Sequence, residues 1–338
     1  MNDLLSVIII AYDRREFVLS ALESVERQTL GKDKFEIVLV KNFLDQKTDS
    51  FCNEHKIKVL NTDAKVPSGN YINLGLAESE GDIICILDDD DLFVESKLKK
   101  VYELFKLYHE LAYYHNAFRE FNGNTYVAKS GIQNERIKIV NLNEGAKIFT
   151  KLKLSKSIDA RGDVNNSSIC IRRSYFPKLK EVLDNSRSVD IALFSASLDS
   201  GKTIIFDNNK LTLVRTHPSF SRFSGGEEDL IKKAVQYNID TITDYTRLKK
   251  CIFSSYGLKY LESNILAAKI NSHTIVGNKP DLRFYEVLKF LASFRFIRKK
   301  FYLLTLGSLV MGFFYPKLNR KLFTRYYKSS LDPSKTYP

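Results

Sequence analysis

The stretch ICILDDDDLF, residues 84–93, carries a short apolar run directly into four consecutive aspartates. The apolar part has the pattern of a strand that is covered on both faces. Carboxylates this close repel one another, so either some of them stay protonated or a cation lies beside them. A solvated helix N-terminus, where negative charge is mildly favourable, accounts for one or two aspartates better than for four. The stretch therefore indicates a ligand or metal site at the end of a buried strand.

A calcium-binding loop between two helices is one known use of clustered aspartates, and it does not fit. Counted from Asp88, the sixth position is Phe93, where such a loop needs glycine, and the twelfth is Lys99, where it needs glutamate. A Mg²⁺ or Mn²⁺ ion fits better, because it usually takes one or two carboxylates and completes its shell with phosphate oxygens and water.

Apolar patterns around the aspartates predict an alternation of strands and helices. The predicted strands are residues 6–12, 35–40, 58–60 and 82–87. The first predicted helix carries Val18 and Val25 on its apolar face and ends just before Gly31, and two more cover about 70–78 (with Ser68 as a candidate cap) and 94–108. Such an alternation is typical of an α/β fold with a mostly parallel sheet flanked by helices. Ligands bind outside the carboxyl ends of such strands, which is the edge that holds residues 12–16, 41–45 and 88–91.

The pattern changes after residue 111. Asn122 and Gly123 lie between two apolar stretches and predict a β-hairpin of residues 112–120 and 125–129. Further predicted elements are strands 167–172, 203–206 and 211–216, helices 174–184 and 189–198, and a helical region over 227–272. This indicates a partly antiparallel sheet edge. We expect one domain over 1–225, a helical extension over 226–280 and a separate C-terminal segment over 281–338.

The basic excess of the chain lies mainly in that C-terminal segment. Residues 281–338 hold twelve Lys and Arg against three Asp and Glu, a net +9 of the formal +12. The cations alternate with Phe, Tyr and Leu, and the uncharged run 301–315 is shorter than the roughly 20 apolar residues that span a bilayer. This favours a helix or hairpin that lies in a membrane interface, rather than a nucleic-acid partner. A core helix packed on the first domain is the alternative.

Cysteine spacing and the first residues bear on the compartment. The four cysteines are far apart and have no metal-ligand spacing, so reduced thiols in the cytosol are the simplest interpretation. The start, MNDLLSVIIIAYDRR, lacks a basic leader and a small-residue cleavage site, and is interpreted as a strand. We expect a cytoplasmic protein that is peripheral on the cytoplasmic membrane face.

Six segments in fixed order carry a family resemblance. They are SVIIIAYDRREFVLSALESVERQT (6–29), FEIVLVKN (35–42), SGNYINLGLAESEGDIICILDDDD (68–91), SSICIRRSYF (167–176), VDIALF (189–194) and LVRTHPSFS (213–221). Together they resemble the family 2 glycosyltransferases of the GT-A fold, a Rossmann-like fold that binds nucleotide-diphospho-sugars. The resemblance covers residues 4–222. It implies an inverting hexosyltransferase that moves a sugar from a nucleoside-diphosphate sugar to an acceptor hydroxyl.

The resemblance also implies roles for residues at the predicted sheet edge. Asp88 and Asp89 would contact the ribose and diphosphate of the donor, and Asp90 would bind Mn²⁺ or Mg²⁺, although four aspartates in a row permit a slip in this assignment. Tyr12 would lie near the nucleotide base. Asn42 stands where many relatives carry an acid that bonds the base; its amide suits a uracil edge, which favours a UDP-sugar.

Residues outside the acidic run receive roles in the same way. Asp190 matches the catalytic aspartate at the start of a helix, which takes the proton from the acceptor. His217, in RTHPS, would complete the metal shell or touch the diphosphate, and Arg215 would meet the leaving group or pair with an acid. Lys65 would meet phosphate. Asp91 would order the turn.

The acceptor and several alternatives stay open. A membrane-lying tail suggests a lipid-linked oligosaccharide or another cell-envelope glycan precursor as acceptor. One alternative is a nucleotidyltransferase, although the loop AYDRREF after the first strand lacks the glycines of that class. A second is a non-catalytic basic module that binds membrane or nucleic acid. A third keeps the fold without catalysis, because Lys41 and Val189 stand where relatives carry acids.

Overall fold

The computed structural model describes residues 4–62, 66–121, 137–142, 154–158, 160–184, 186–216 and 226–330. By contacts the chain forms two compact units. The first consists of residues 1–153 and 160–216, and the second of residues 154–159 and 217–338. The predicted extension (226–280) and C-terminal segment (281–338) both belong to the second unit.

The first unit begins with four parallel strands. They are β1 (Leu5–Ala11), β2 (Phe35–Lys41), β3 (Lys58–Asn61) and β4 (Ile83–Asp88), in the order β3-β2-β1-β4. The helices between and after them are α1 (Val18–Glu26), α2 (Gln46–Glu54), α3 (Ser68–Glu78) and α4 (Lys97–Leu107). The predicted α/β alternation is confirmed.

Burial explains why these segments adopt their conformations. Apolar residues of α1 recur at i, i+3, i+4 and i+7 and all are buried: Val18, Ala21, Leu22 and Val25. They share one core cluster with α4 and one face of the sheet. On the other face Tyr71 of α3 packs against Val38 and Val40. α3 lies so close to the sheet that a Cβ on Gly75 would come within 2.5 Å of Ile8 Cγ2.

The remaining strands make the other half of the sheet mixed. They are β5 (Leu92–Phe93), β6 (Leu111–Phe121), β7 (Ile137–Asn141), β8 (Ile169–Arg172) and β9 (Thr203–Arg215). β8 is antiparallel to both β4 and β6, β9 is parallel to β6, and β5 and β7 are antiparallel to β9. Two further helices, α5 (Leu179–Leu183) and α6 (Val189–Asp199), complete the described part of this unit.

The prediction of two strands over 203–206 and 211–216 is wrong, because β9 is a single strand. Its pairing with β6 is interrupted between Asp207 and Lys210 and then resumes. Asp207 Oδ1 accepts hydrogen bonds from the backbone and side-chain amides of Asn209, at 2.9 and 2.6 Å. These local hydrogen bonds stabilise an irregularity within β9. At this point the sequence pattern predicts a break between two strands. Most of the predicted hairpin at Asn122 lies outside the described residues.

Three helix boundaries also differ from the prediction. Helix α4 begins at Lys97 because Val94 donates its N–H to Leu211 O and stays in the sheet. Ser68 does not cap α3; its hydroxyl donates to the Arg187 carbonyl instead. The predicted helix 174–184 shortens to α5, since Pro177 disfavours a helical conformation in the residue before it.

The second unit is helical in its described part. Its helices are α7 (Glu227–Leu248), α8 (Ser255–Ile275), α9 (Phe284–Leu291), α10 (Lys299–Phe314) and α11 (Pro316–Ser330). Leu266 and Ile270 of α8 pack with Phe290 and Leu309, so α9 and α10 share a core with α8. Within the parts of the chain that the structure describes, no helix has both the length and the hydropathy needed to cross a bilayer.

Candidate active site

The carboxyl ends of β1, β2 and β4 meet at one edge of the sheet. The register pairs Ala11 with Lys41 and Ile10 with Asp88. The turns that follow these strands therefore come together, as predicted. They contain Tyr12, Arg14, Asn42 and the aspartate run.

The turn after β1 presents an arginine to the aspartates. Arg14 donates from one guanidinium nitrogen to Asp89 Oδ1 at 2.7 Å and from another to Asp90 Oδ2 at 2.5 Å. Asp13, before it, has φ of 55°, in the left-handed region that non-glycine residues rarely adopt. Asn42 braces this turn: its Oδ1 accepts from the Asp13 N–H at 2.8 Å, and its Nδ2 donates to Asp13 Oδ1 at 2.9 Å.

Asp88 ends β4 and is held from the loop before β8. Its backbone N–H donates to the Ser167 hydroxyl at 3.0 Å, and its carboxylate accepts from Asn166 Nδ2 at 3.2 and 3.3 Å. Burial raises the pKa of Asp88 to about 7, and the charges of Asp90 and Asp190 add to this effect. A cation near Asp88 would favour its charged form.

The neighbouring carboxyls are also buried. Burial raises the pKa of Asp89 well above its ordinary value, with Arg14 acting in the opposite direction. Asp89 Oδ2 is buried and has no hydrogen-bond partner among the described residues. Burial likewise raises the pKa of Asp91 well above its ordinary value. Asp91 Oδ1 accepts from the backbone N–H of Arg215 at 3.1 Å, so Asp91 ties the turn to β9, in agreement with its predicted ordering role.

Two cations support the turn from inside the fold. Lys97 of α4 is fully buried, donates to the Ser167 carbonyl and to Thr212 Oγ1, and lies with its ammonium 3.7 Å from the centre of the Phe93 ring. Burial lowers the pKa of Lys97 to about 8, whereas neighbouring groups that include Asp91 act to raise it. Arg215 donates from Nε to the backbone oxygen of Asp90 at 3.0 Å.

Asp190 lies in the first turn of α6, where a carboxylate is favoured by the helix dipole. Its Oδ2 accepts from the Asn165 N–H at 3.2 Å, and its Oδ1 from the Ile191 N–H at 2.9 Å. The loop of Asn165 and Asn166 thus contacts Asp190 with one residue and Asp88 with the next. Adjacent residues of one loop therefore hold both carboxyls, and the charge of Asp190 contributes to the raised pKa of Asp88.

Tyr12 and Lys41 lie at the ends of β1 and β2 on this edge. Tyr12 is 41% exposed, and its ring lies in a T-shaped arrangement with the Tyr71 ring, with centroids 5.7 Å apart. Lys41 is fully buried and donates to the Phe43 carbonyl at 2.7 Å and to Asp49 at 3.0 Å. Lys41 therefore braces the turn after β2.

Two predicted residues, Lys65 and His217, lie outside the described residues. Across the described chain, no three His, Cys, Asp or Glu side chains are grouped as metal ligands. Asp89 and Asp90 still fit an ion that takes most of its shell from phosphate and water, because Mg²⁺-type sites often use one or two carboxylates. The unpartnered Asp89 Oδ2 is the atom that supports this fit.

Known proteins share both the sequence pattern and the fold. Residues 6–176 match Glycosyl transferase family 2, so the chain belongs to this family. Glycosyltransferase GlyG of Streptococcus pneumoniae serotype 4 is 24% identical over 108 residues, which make up 30% of this chain and 35% of that protein. The match thus spans about a third of that relative's length.

Two solved structures show the fold. TarS 1–349 of S. aureus in complex with UDP-GlcNAc superposes with a TM-score of 0.54 at 12% identity, over 97% of this chain and 92% of that one. Mannosyltransferase PcManGT of Pyrobaculum calidifontis, in complex with GDP-Man and Mn²⁺, gives a TM-score of 0.51 at 12% identity, over 97% and 87%. The predicted GT-A fold is confirmed.

Sequence analysis missed several residues that build this edge. Arg14, Asn165, Asn166 and Lys97 all contact the carboxylates or the loop that holds them. A signal was present for the two asparagines, because NNSS directly precedes an apolar strand. Lys97 had no such signal, since a lysine in a helix pattern normally faces solvent.

Proposed function

We propose that the protein is an inverting glycosyltransferase that uses a nucleoside-diphosphate sugar, with Asp190 as general base. The observation that carries this proposal is that adjacent residues of one loop, Asn165 and Asn166, donate hydrogen bonds to Asp190 and to Asp88. A base and a donor-binding carboxylate must lie near each other if one sugar is to contact both.

In the proposed reaction the acceptor hydroxyl loses its proton to the Asp190 carboxylate as its oxygen bonds to the anomeric carbon. The bond from that carbon to the diphosphate oxygen breaks from the opposite side, which inverts the configuration. The N–H groups of Asn165 and Ile191 fix the orientation of the Asp190 carboxylate. Each hydrogen bond favours the charged form, which is the form that a base requires.

Asp90 and Asp89 would hold a divalent ion in the proposed site. When bound, this ion would offset the negative charge that grows on the leaving diphosphate. Tyr12 would cover the nucleotide base with its ring. We favour a uridine diphosphate donor, because the Asn42 amide offers both a donor and an acceptor; its bonds to Asp13 leave each amide atom room for a second contact.

We further propose that the second unit binds an anionic membrane surface and brings the active site to a lipid-linked acceptor. Helix α9 buries Phe290 on one face and exposes Phe284 (78%) and Leu288 (51%) on another. Helix α10 likewise exposes Leu303 and Phe314. Exposed apolar surface of this extent marks interaction sites. Exposed Arg and Lys flank it: Arg283, Lys299, Lys300 and Lys317.

Substitution of the base tests the catalytic proposal. Asp190→Asn is expected to lower kcat by about 10²–10⁴-fold, because the amide cannot accept the proton. Nucleotide binding should persist, as measured by the thermal shift that UDP and GDP produce. Asp199→Asn, at the far end of the same helix, is the matched control and should keep full activity. Release of pyrophosphate, or an active Asp190→Asn variant, would contradict the proposal.

Vesicle binding tests the membrane proposal. The full chain should co-sediment with vesicles of phosphatidylcholine and phosphatidylglycerol more than with phosphatidylcholine alone. Phe284→Ser combined with Leu288→Ser should reduce this binding, whereas Leu107→Ser, an exposed leucine of the first unit, should not. Equal binding to both vesicle types would argue against recognition of anionic lipid.

A further inference from the structure

The contact between Arg14 and the acidic run has a consequence beyond the proposed function, on which it rests. The Arg14 side chain is 37% exposed, whereas those of Asp89 and Asp90 are 2% and 12% exposed. The Arg14 side chain therefore keeps more contact with solvent than either carboxylate does. It occupies Asp90 Oδ2, an atom that a divalent ion at the acidic run would also use.

The other nearby cations do not replace Arg14 in this position. Arg215 donates its Nε–H to the backbone oxygen of Asp90. Lys97 bonds to Ser167 and Thr212 from inside the fold. Arg14 forms an ion pair with the carboxylate of Asp89 and another with that of Asp90.

We propose that Arg14 is an exchangeable counter-ion, which holds Asp89 and Asp90 in the donor-free protein and transfers to the donor diphosphate when a divalent ion takes Asp90. A guanidinium matches phosphate oxygens as well as carboxylate oxygens, so both positions offer paired hydrogen bonds. A divalent ion and a guanidinium repel each other, so both do not share one carboxylate oxygen favourably.

The pair of Asn42 and Asp13 sets the conformation from which Arg14 reaches the acids. A φ of 55° is uncommon for a non-glycine residue, less so for aspartate than for most, and it persists where neighbours hold it. Asn42 supplies both of the hydrogen bonds that do so here. Asn42 is thus a positioning residue for Arg14.

The exchange makes a prediction about metal affinity in the absence of any donor. While Arg14 occupies the acidic run, only the remaining fraction of the protein is able to bind Mn²⁺. The apparent affinity for Mn²⁺ is lowered by that fraction. Arg14→Gln should therefore bind Mn²⁺ about 10-fold more tightly than wild type, as measured from the electron paramagnetic resonance signal of free Mn²⁺. Arg15→Gln removes the same charge one residue later, where the side chain is exposed, and should bind Mn²⁺ like wild type.

Calorimetry with UDP on the Mn²⁺-loaded protein tests the second half of the exchange. Here Arg14→Gln should bind UDP about 10-fold more weakly, because the diphosphate loses its guanidinium. Asn42→Ala should tighten Mn²⁺ binding in the same direction by a smaller factor. Arg14→Lys, which keeps the charge but not the paired contacts, should fall between Arg14→Gln and wild type in both assays.

A merely structural ion pair gives a different result. In that case Arg14→Gln and Arg14→Lys would lower the melting temperature and leave Mn²⁺ affinity unchanged or weaker, which would overturn the proposal. If wild type showed no sugar transfer but Arg14→Gln still tightened Mn²⁺ binding, the catalytic proposal would fail and the counter-ion would stand. If Mn²⁺ bound neither form, the counter-ion proposal would fail even with transfer intact.

Discussion

The two compact units differ in the side chains that they bury and expose. The first unit buries several ionic groups, including Asp89, Asp91 and Lys97, and surrounds them with hydrogen bonds. The second leaves large apolar side chains such as Phe284 and Phe314 in solvent. Both arrangements cost free energy in an isolated protein, because buried charge loses hydration and exposed apolar surface orders water. This difference is what the two proposals require, a polar donor at the first unit and an apolar membrane surface at the second.

The largest expected effect on stability comes from the buried lysine. Lys97→Met should lower the free energy of unfolding by about 3 kcal/mol, since it removes the buried ammonium that donates to the Ser167 carbonyl and to Thr212 Oγ1. Lys289→Met is the matched change in the second unit, where the lysine pairs with Glu262 in solvent, and should cost less than about 1 kcal/mol. Urea unfolding measures both. Equal losses would remove the contrast between the units.

Helix α10 offers a smaller, internal comparison. Leu309 is 4% exposed and Leu303 is 54% exposed on the same helix. Leu309→Ala should lower the free energy of unfolding by about 2–3 kcal/mol through lost packing. Leu303→Ala should stay within about 0.5 kcal/mol of wild type. A large loss from Leu303→Ala in urea unfolding would mean that this surface is covered in the protein as it exists in solution.

The smallest expected effect concerns Asp88 and pH. The folded protein raises the pKa of Asp88 to about 7, so its stabilising contribution is full below the unfolded value near 4 and is lost as pH rises through 7. Asparagine does not titrate. In EDTA at about pH 8, Asp88→Asn should therefore be more stable than wild type by about 1–2 kcal/mol.

Calorimetric scans from acid to mildly alkaline pH would check this sign. The melting temperature of wild type should fall over that range more steeply than that of Asp88→Asn, while Asp199→Asn should follow wild type. A variant that is less stable than wild type at every pH would show that the bonds from Asn166 to Asp88 outweigh the repulsion.

The parallel half of the sheet was predictable because its signals are local. Each strand is a short apolar run, and each helix repeats its buried positions within one or two turns, as Val18 and Leu22 do in α1. The pairing of β6 with β9 joins segments far apart in sequence, and no local pattern encodes a long-range parallel partner. Because β9 is irregular at Asp207, the sequence pattern predicted two strands where the structure has one.

The candidate site was predictable in composition but less so in contacts. Asp88, Asp89, Asp90 and Tyr12 come to one edge because parallel strands end together. The role of Asn42 differs from expectation in one respect, since its amide already braces Asp13. That bond depends on a left-handed residue, and aspartate carries no sequence mark of that conformation comparable to glycine. Whether residue 13 adopts the left-handed conformation is therefore decided by its tertiary contacts.

The tie between Asp91 and Arg215 joins residues 124 positions apart. A ribosome making this chain therefore releases the acidic run long before its partner strand, and the aspartates remain hydrated, ordinary carboxylates in the interval. The contact of Asp91 with β9, which accompanies its raised pKa, forms only when β9 joins the sheet. Nucleotide binding by a nascent or truncated chain would thus report the arrival of this last strand, rather than the earlier formation of the parallel core.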